Sequence, residues 1–280
     1  MPTMKNNEFS AILNVYKPVG ISPLDAINLI KEKHPALKNE KMTYAGRLDP
    51  MAEGVLLILA EKAVYEKDKY LKLDKEYEGE ILFGFETDTY DILGMPKSIR
   101  QPTFTSRTVL GGMIKKLEGE LALPLPPYSS YKIKGKSLFQ WTREGKLDEI
   151  EIPMRQIKIN SAEMLNLNEI SGEKLLEIIE QKISLTKGDF RQKEILERWR
   201  DILKNDKTNY QIVKIKINCS SGTYIRSIAH HLGEELKIDA TLFSCERSEL
   251  ENKKYSCGGI LLNLKRTQVG KFNIKDSLRI

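Results

Sequence analysis

A mixed fold of strands and helices, α/β or α+β, is what the sequence predicts, and three observations predict it. Residues 55–59, VLLIL, form a continuous apolar run of the kind that fills a strand buried on both faces. Two further segments alternate with period two. In one, Tyr77, Gly79, Ile81, Phe83 and Phe85 stand on the face opposite Glu78, Glu80 and Glu86; in the other, Val213, Ile215, Ile217 and Cys219 oppose Lys214, Lys216 and Asn218. Last, SSGTYIRSIAHHLGEEL places Ile225, Ile228, Ala229, Leu232 and Leu236 on one helical stripe. At 280 residues the length admits two average domains or one large domain with a sizeable core.

The elements follow in order. SAILNVYKPVG reads as a short strand ending in a Lys-Pro-x-Gly turn, with Lys17 at the strand exit. Ser22 and Pro23 then supply an N-cap and a first-turn proline for a helix through Leu24, Ile27 and Ile30. In AGRLDPMAEGVLLILA, Gly46 permits a tight bend, and Asp49 is confined to extended backbone because a proline follows it. The result is a stiff loop carrying one carboxylate next to a buried strand, either a plain Asp-Pro turn or the fixed acid that a nucleophile or general base requires. After the polar turn TDTYD, TSRTVLGGMIKKLEG suggests a helix through Val109, Met113, Ile114 and Leu117, weakened by its two glycines.

LPLPPYSSYKIKGKSLFQWTREG interleaves Tyr128, Tyr131, Phe139 and Trp141 with Lys132, Lys134, Lys136 and Arg143. It reads as a strand and loop with its aromatics packed inward, or as a face for phosphates and stacked bases. Residues 164–208 carry two amphipathic patterns, capped at Ser171 and Asp189, that predict a helical hairpin on the surface. Arg226 falls in the first turn of the helix after QIVKIKINC, where the helix dipole disfavours a cation and a nearby anion would remove the objection.

Composition narrows the function classes. Forty per cent hydrophobic and 30% charged residues describe a globular chain. The net charge of +6 permits an anionic partner such as nucleic acid without demanding one. No apolar run approaches the roughly 20 residues that span a bilayer, and MPTMKNNEFS lacks the apolar stretch of a secretory signal, so a cytoplasmic protein without membrane association is expected. Cys219, Cys245 and Cys257 are odd in number with no close pair, and His34, His230 and His231 show no matching ligand spacing, so neither a metal site nor a disulfide framework is expected. Phosphate-cradling glycine loops, G-x-S-x-G and H-E-x-x-H are all missing, which leaves cofactor-free chemistry by one carboxylate. Lys17, Asp49, Tyr77 and Arg226 all sit at ends of rigid elements, where functional groups concentrate.

The chain resembles the TruB tRNA pseudouridine synthases in six collinear blocks: NVYKPVGISPLDAI, GRLDPMAEGVLLILA, KEYEGEILFGFETDTYD, PPYSSYKIKGKSLFQWTREG, CSSGTYIRSIAHHLGEEL and GGILLNLKRTQVGKFNIKDSL. The resemblance implies one α+β catalytic domain, a mixed, largely antiparallel sheet flanked by helices, formed by residues 1–163 and 209–280. It implies isomerisation of a T-loop uridine of tRNA, usually called U55, without metal or redox cofactor and without an obligatory protein partner. Asp49 matches the catalytic aspartate that attacks the uridine or its ribose, Tyr77 the tyrosine that stacks on the base and is implicated in proton transfer, and Arg226 the arginine that pairs with the carboxylate. Lys17 matches the basic residue of the Lys-Pro-x-Gly motif, and Leu264 an apolar pocket residue. Tyr44 stands where the family usually has a histidine that packs against the target loop.

Residues 164–208, read as a helical insertion, exceed the usual connection between the family's strands, and 237–256 is a second extra segment; either could clamp RNA, but peripheral structural embellishment is the expectation for both. A PUA-type domain of the kind many relatives carry at the C-terminus is not expected. Two other readings stay open: an RNA chaperone that grips tRNA with secondary or lost activity, and a synthase working within a guide-RNA complex.

Overall fold

The computed structural model describes residues 12–98, 105–243 and 258–280. In chain order its strands and α-helices are β1 (Ile12–Lys17), α1 (Pro23–Lys33), β2 (Met42–Ala45), β3 (Ala52–Ala60), α2 (Lys67–Leu71), β4 (Lys75–Phe83), β5 (Phe85–Thr87), β6 (Pro96–Ser98), α3 (Arg107–Lys115), β7 (Gly119–Pro124), β8 (Lys132–Ile133), β9 (Lys136–Ser137), α4 (Leu138–Arg143), β10 (Met154–Ser171), α5 (Gly172–Ser184), α6 (Gln192–Leu203), β11 (Asn209–Cys219), α7 (Ile225–Phe243), β12 (Gly259–Val269), β13 (Phe272–Asn273) and β14 (Leu278–Arg279). None of the described helices is long and apolar enough to cross a membrane.

One sheet organises the molecule, in the order β14-β1-β3-β12-β4-β11-β10-β7, with β2 beside β3 and β13 beside β12. Only β1–β14 and β3–β12 pair in parallel; the other ladders of this sheet are antiparallel, so the mixed, largely antiparallel α+β expectation holds. β12 lies between β3 and β4, and its Leu264 pairs with Ala52 on one side and Gly79 on the other.

Both faces of the sheet are covered, which is why so many strand residues are apolar. Leu56, Ile58, Tyr77 and Ile215 join Ile27 and Ile30 of α1, Leu110 and Ile114 of α3, and Ile225, Ile228 and Leu232 of α7 in the largest core. The intervening residues Val55, Leu57 and Leu59 pack with Ala45, Tyr70 and Val269 on the other side, as the VLLIL run predicted. The start of α1 follows its sequence signal. Ser22 accepts from the Asp25 amide, Asp25 accepts from the Ser22 amide, and Pro23 opens the first turn.

The helical insertion differs from its expected form in three respects. Residues 164–171 belong to β10, whose pairing with β11 continues to Ser171–Asn209, so the α5–α6 pair occupies only 172–203. Register shifts at Ile159/Ser161 and Met164/Asn166 interrupt the alternation that would have marked this strand. The hairpin is also not peripheral. Leu175, Ile179, Ile183, Ile195, Trp199 and Leu203 form a second core with Leu82, Phe85, Ile212, Ile260 and Leu262 of the sheet. Trp199 is fully buried, donates to the Ile92 carbonyl at 3.1 Å and meets Phe85 edge-on at 5.0 Å. Finally, Asp189 does not cap α6; that position is Arg191, with φ of +62°.

Two other expectations shift. The aromatic and basic stretch 123–145 holds the short β8–β9 hairpin and then α4, a helix started by a reciprocal Ser137–Gln140 capping box. Of the second extra segment, 237–243 continues α7, while 244–256 lies outside the described residues, as do Cys245 and Cys257. Cys219 is buried with a free thiol, which burial pushes up to about 11.

Candidate active site

The loop between β2 and β3 presents Asp49. Gly46 turns the chain with φ of +81°, buried Leu48 pins the loop to the core, and the Asp49 carbonyl accepts from the Ala52 amide at 3.0 Å. The carboxylate is one-third exposed, while its neighbours are buried.

Opposite it, the first turn of α7 delivers Arg226, whose Nε lies 2.9 Å from Asp49 Oδ2 and 3.7 Å from Asp91 Oδ2. The anion anticipated near this helix start is therefore Asp49. Arg226 donates from Nη1 to the Thr89 carbonyl at 2.7 Å and from Nη2 to the Tyr128 carbonyl at 3.2 Å. Among the described residues its Nε has no aligned hydrogen-bond partner, so the contact with Asp49 is an ion pair and not a linear hydrogen bond. Burial works against the guanidinium charge, but Asp49 and Asp91 outweigh it and hold its pKa above the usual arginine value.

Asp91 is the member that sequence reasoning missed. It is buried and accepts from Thr89 Oγ1 at 2.8 Å and from the Leu93 amide at 2.9 Å. Burial pushes its carboxyl up to about 6 against the pull of Arg226. Its signal was available: it is the last residue of TDTYD, a polar turn directly after an alternating strand.

Behind the loop stands a second missed residue, Arg266 of β12, 1% exposed. Its Nε donates to the Val55 carbonyl at 2.7 Å, and Nη2 and Nη1 to those of Gly46 and Arg47 at 3.1 and 3.5 Å. One rigid fork thus satisfies carbonyls on both sides of Asp49. Its neighbour across the ladder is Tyr77, 7% exposed, whose phenol burial holds in the protonated form.

These groups surround a cleft of about 620 Å³. Asp49, Tyr77, Asp91, Arg226 and Leu264 all line it, so four of the six expected site residues meet there. Tyr128, Phe139, Phe190 and Tyr224 add aromatic surface to its walls. Lys17 and Tyr44 are placed elsewhere. Lys17 is fully buried and donates to the Pro18 and Ile21 carbonyls at 2.9 and 2.8 Å, bracing the turn from behind; desolvation lowers it to about 7 despite Asp49. Tyr44 is half-buried on β2, with Lys67 Nζ 5.4 Å from its ring centre.

Comparison with known proteins converges on one family. The model described as the TruB family pseudouridylate synthase N-terminal domain matches residues 33–190. A protein of Endomicrobium trichonymphae named tRNA pseudouridine synthase B is 30% identical over 273 residues, covering 98% of this chain and 90% of its own. A Clostridium kluyveri protein of the same name is 29% identical over 269 residues, covering 96% and 70%. Among solved structures, a chain of a Cbf5–Nop10–Gar1 complex superposes with a TM-score of 0.56 at 18% identity over 96% of this chain. A chain of an H/ACA RNP bound to a substrate RNA containing 2'-deoxyuridine does so with 0.52, also at 18% identity over 96% of this chain. The present chain covers 52% and 50% of those two, and the likeness is one of fold. Matched by the family model over more than half its length and by the Endomicrobium relative over nearly all of it, the chain belongs to the TruB family of pseudouridylate synthases.

Proposed function

We propose that this chain is a tRNA pseudouridine synthase that isomerises a T-loop uridine, U55, with Asp49 as the nucleophile and without an obligatory protein partner, in the cytoplasm. The observation that carries the reading is the Asp49–Arg226 ion pair in an aromatic-lined cleft. Arg226 pairs with the carboxylate, and the stiff loop fixes its direction. Because Arg226 engages it without a linear hydrogen bond, the carboxylate keeps lone pairs for attack.

Asp49 attacks the uracil ring or C1' of the ribose, and the N1–C1' bond breaks. The base rotates, C5 bonds to C1', the bond to Asp49 breaks and returns its electron pair to the carboxylate, C5 loses its proton and N1 gains one. Every substrate atom except the exchanged proton is retained, so the balance calls for no oxidant, reductant or co-reactant. The protonated Tyr77 stacks on the base and serves proton transfer at the sugar. Leu264 supplies an apolar contact to a base that has left its stack. Basic surface around the cleft binds the folded RNA and makes affinity salt-dependent.

The test is tritium release from C5-labelled uridine in a bare tRNA transcript. The native chain releases tritium at one position, and Asp49→Asn loses at least about 10⁴-fold in rate. An undiminished rate in Asp49→Asn would falsify the assignment.

A further inference from the structure

The connection between α5 and α6 is tied into the rim of the cleft. Asp189, Phe190 and Arg191 line the same cavity as Asp49. The Lys187 amide donates to the Gly20 carbonyl at 2.8 Å, and the Gly20 amide to the Pro50 carbonyl at 2.8 Å, next to the carboxylate. Gly20 has φ of +93°, and a Cβ there would lie 2.1 Å from the Leu185 carbonyl oxygen, so turn and connection meet backbone to backbone. Thr186 Oγ1 reaches Met51 Sδ at 3.2 Å, and Arg143 Nη2 donates to the Asp189 carbonyl at 3.0 Å. Gln192 closes the connection by donating to the Thr186 and Gly188 carbonyls at 3.1 and 2.6 Å.

On this braced wall Arg191 lies over an aromatic ring. Its guanidinium carbon lies 4.8 Å from the Tyr128 ring centre, and Nη1 lies 2.9 Å from Asp88 Oδ2, with 28% of the side chain exposed. Asp88 uses its other oxygen to accept from the Met95 amide at 2.8 Å, so it is a fixed post that orients the arginine. A guanidinium has five donors, and this pairing engages one of its nitrogens.

We propose that the inserted connection is a substrate-facing wall of the cleft and that Arg191 binds the RNA backbone phosphate flanking the uridine that enters it. The inference rests on the reading of the substrate as RNA. A flipped nucleotide brings its phosphates to the cleft mouth, and a planar fork already held over an aromatic ring by an ion pair recognises phosphate with little ordering to be done. Phe190 beside it offers an apolar surface to the sugar or base.

Turnover and filter-binding measurements on a bare tRNA transcript over a series of salt concentrations decide the matter. Arg191→Gln raises KM and Kd about tenfold, leaves kcat unchanged and flattens the slope of log K against log salt by about 0.7 to 1. Arg191→Lys recovers part of the affinity. Asp88→Asn, which removes the orienting ion pair but keeps the guanidinium, raises KM by about two- to threefold, less than Arg191→Gln, because the charge remains. Equal losses in Arg191→Gln and Asp88→Asn would reduce Arg191 to an anchor and overturn the proposal, as would an unchanged KM or a loss confined to kcat. A native chain that binds the transcript but forms no pseudouridine overturns the proposed reaction instead, and filter binding still decides Arg191.

Discussion

Replacing Trp199 by alanine tests whether the inserted hairpin is part of the fold's core. The side chain is 0% exposed, packs on Phe85 and bonds the carbonyl of Ile92, the residue after Asp91. Removing a buried Trp costs about 3 to 5 kcal/mol through lost transfer energy and cavity. The orphaned Ile92 carbonyl adds ~1 kcal/mol or more. For a chain of this size each kcal/mol shifts Tm by about 2 to 4 °C, so a fall of about 8 to 24 °C is expected in calorimetry. Trp199→Phe keeps most of the volume and loses the donor, and falls by about a third as much. Trp141 is the only other tryptophan, so loss of the blue-shifted emission component identifies the buried ring directly. A Tm fall below about 4 °C for Trp199→Ala, under the smallest cavity cost, would refute the placement of the hairpin in a shared core.

Three further outcomes follow from the site. Arg226→Lys keeps a charge but cannot serve the Thr89 and Tyr128 carbonyls and both carboxylates at once, so kcat should drop about 100-fold or more while tRNA affinity stays near native; stopped-flow turnover and filter binding read the two separately. Arg266→Gln frees the carbonyls of Gly46, Arg47 and Val55, and a fall of about 100-fold in kcat with unchanged Kd is expected as the Asp49 loop loosens, whereas a change in Kd alone would contradict it. Lys17 and Lys75 have folded pKa values lowered by burial to about 7 and about 8. Between these values and the unfolded value of 10.5 the unfolded chain binds more protons, so stability rises with pH, by up to about 1.4 kcal/mol per unit for each lysine. Urea titrations from pH 7.5 to 9.5 should show that slope, and Lys17→Met should flatten it.

What was legible in the sequence was what local pattern encodes. The VLLIL strand, the alternation from Tyr77 to Phe83, the Ser22–Pro23 helix start and the stripe of α7 each depend on neighbours within a few residues, and each appears as read, whereas Gly84 with φ of +102° ends the expected alternation before Phe85, which belongs to β5 and packs in the second core. Asp49 and Arg226 were readable as a stiff acid and an awkward cation, and the structure makes each the explanation of the other. What stayed hidden depends on long-range registry. Two bulges in β10 hid eight residues of strand, and only packing against Phe85 and Ile260 shows that α5 and α6 are core. Asp91 and Arg266 look like surface charges in a string of letters. Their roles come from carbonyls and a guanidinium contributed by distant segments.

The central position of β12 sets an order of events in synthesis. This strand, residues 259–269, fills the gap between β3 and β4, and it brings both Leu264 and Arg266 to the cleft. Until it leaves the ribosome, β3 and β4 have no partner on their facing edges, and the loop of Asp49 lacks the arginine that organises it. Such unpaired edges invite association with other chains, so the interval before β12 inserts is the vulnerable one. Catalytic competence therefore arrives at a single late step, when one strand closes the sheet and completes the pocket together.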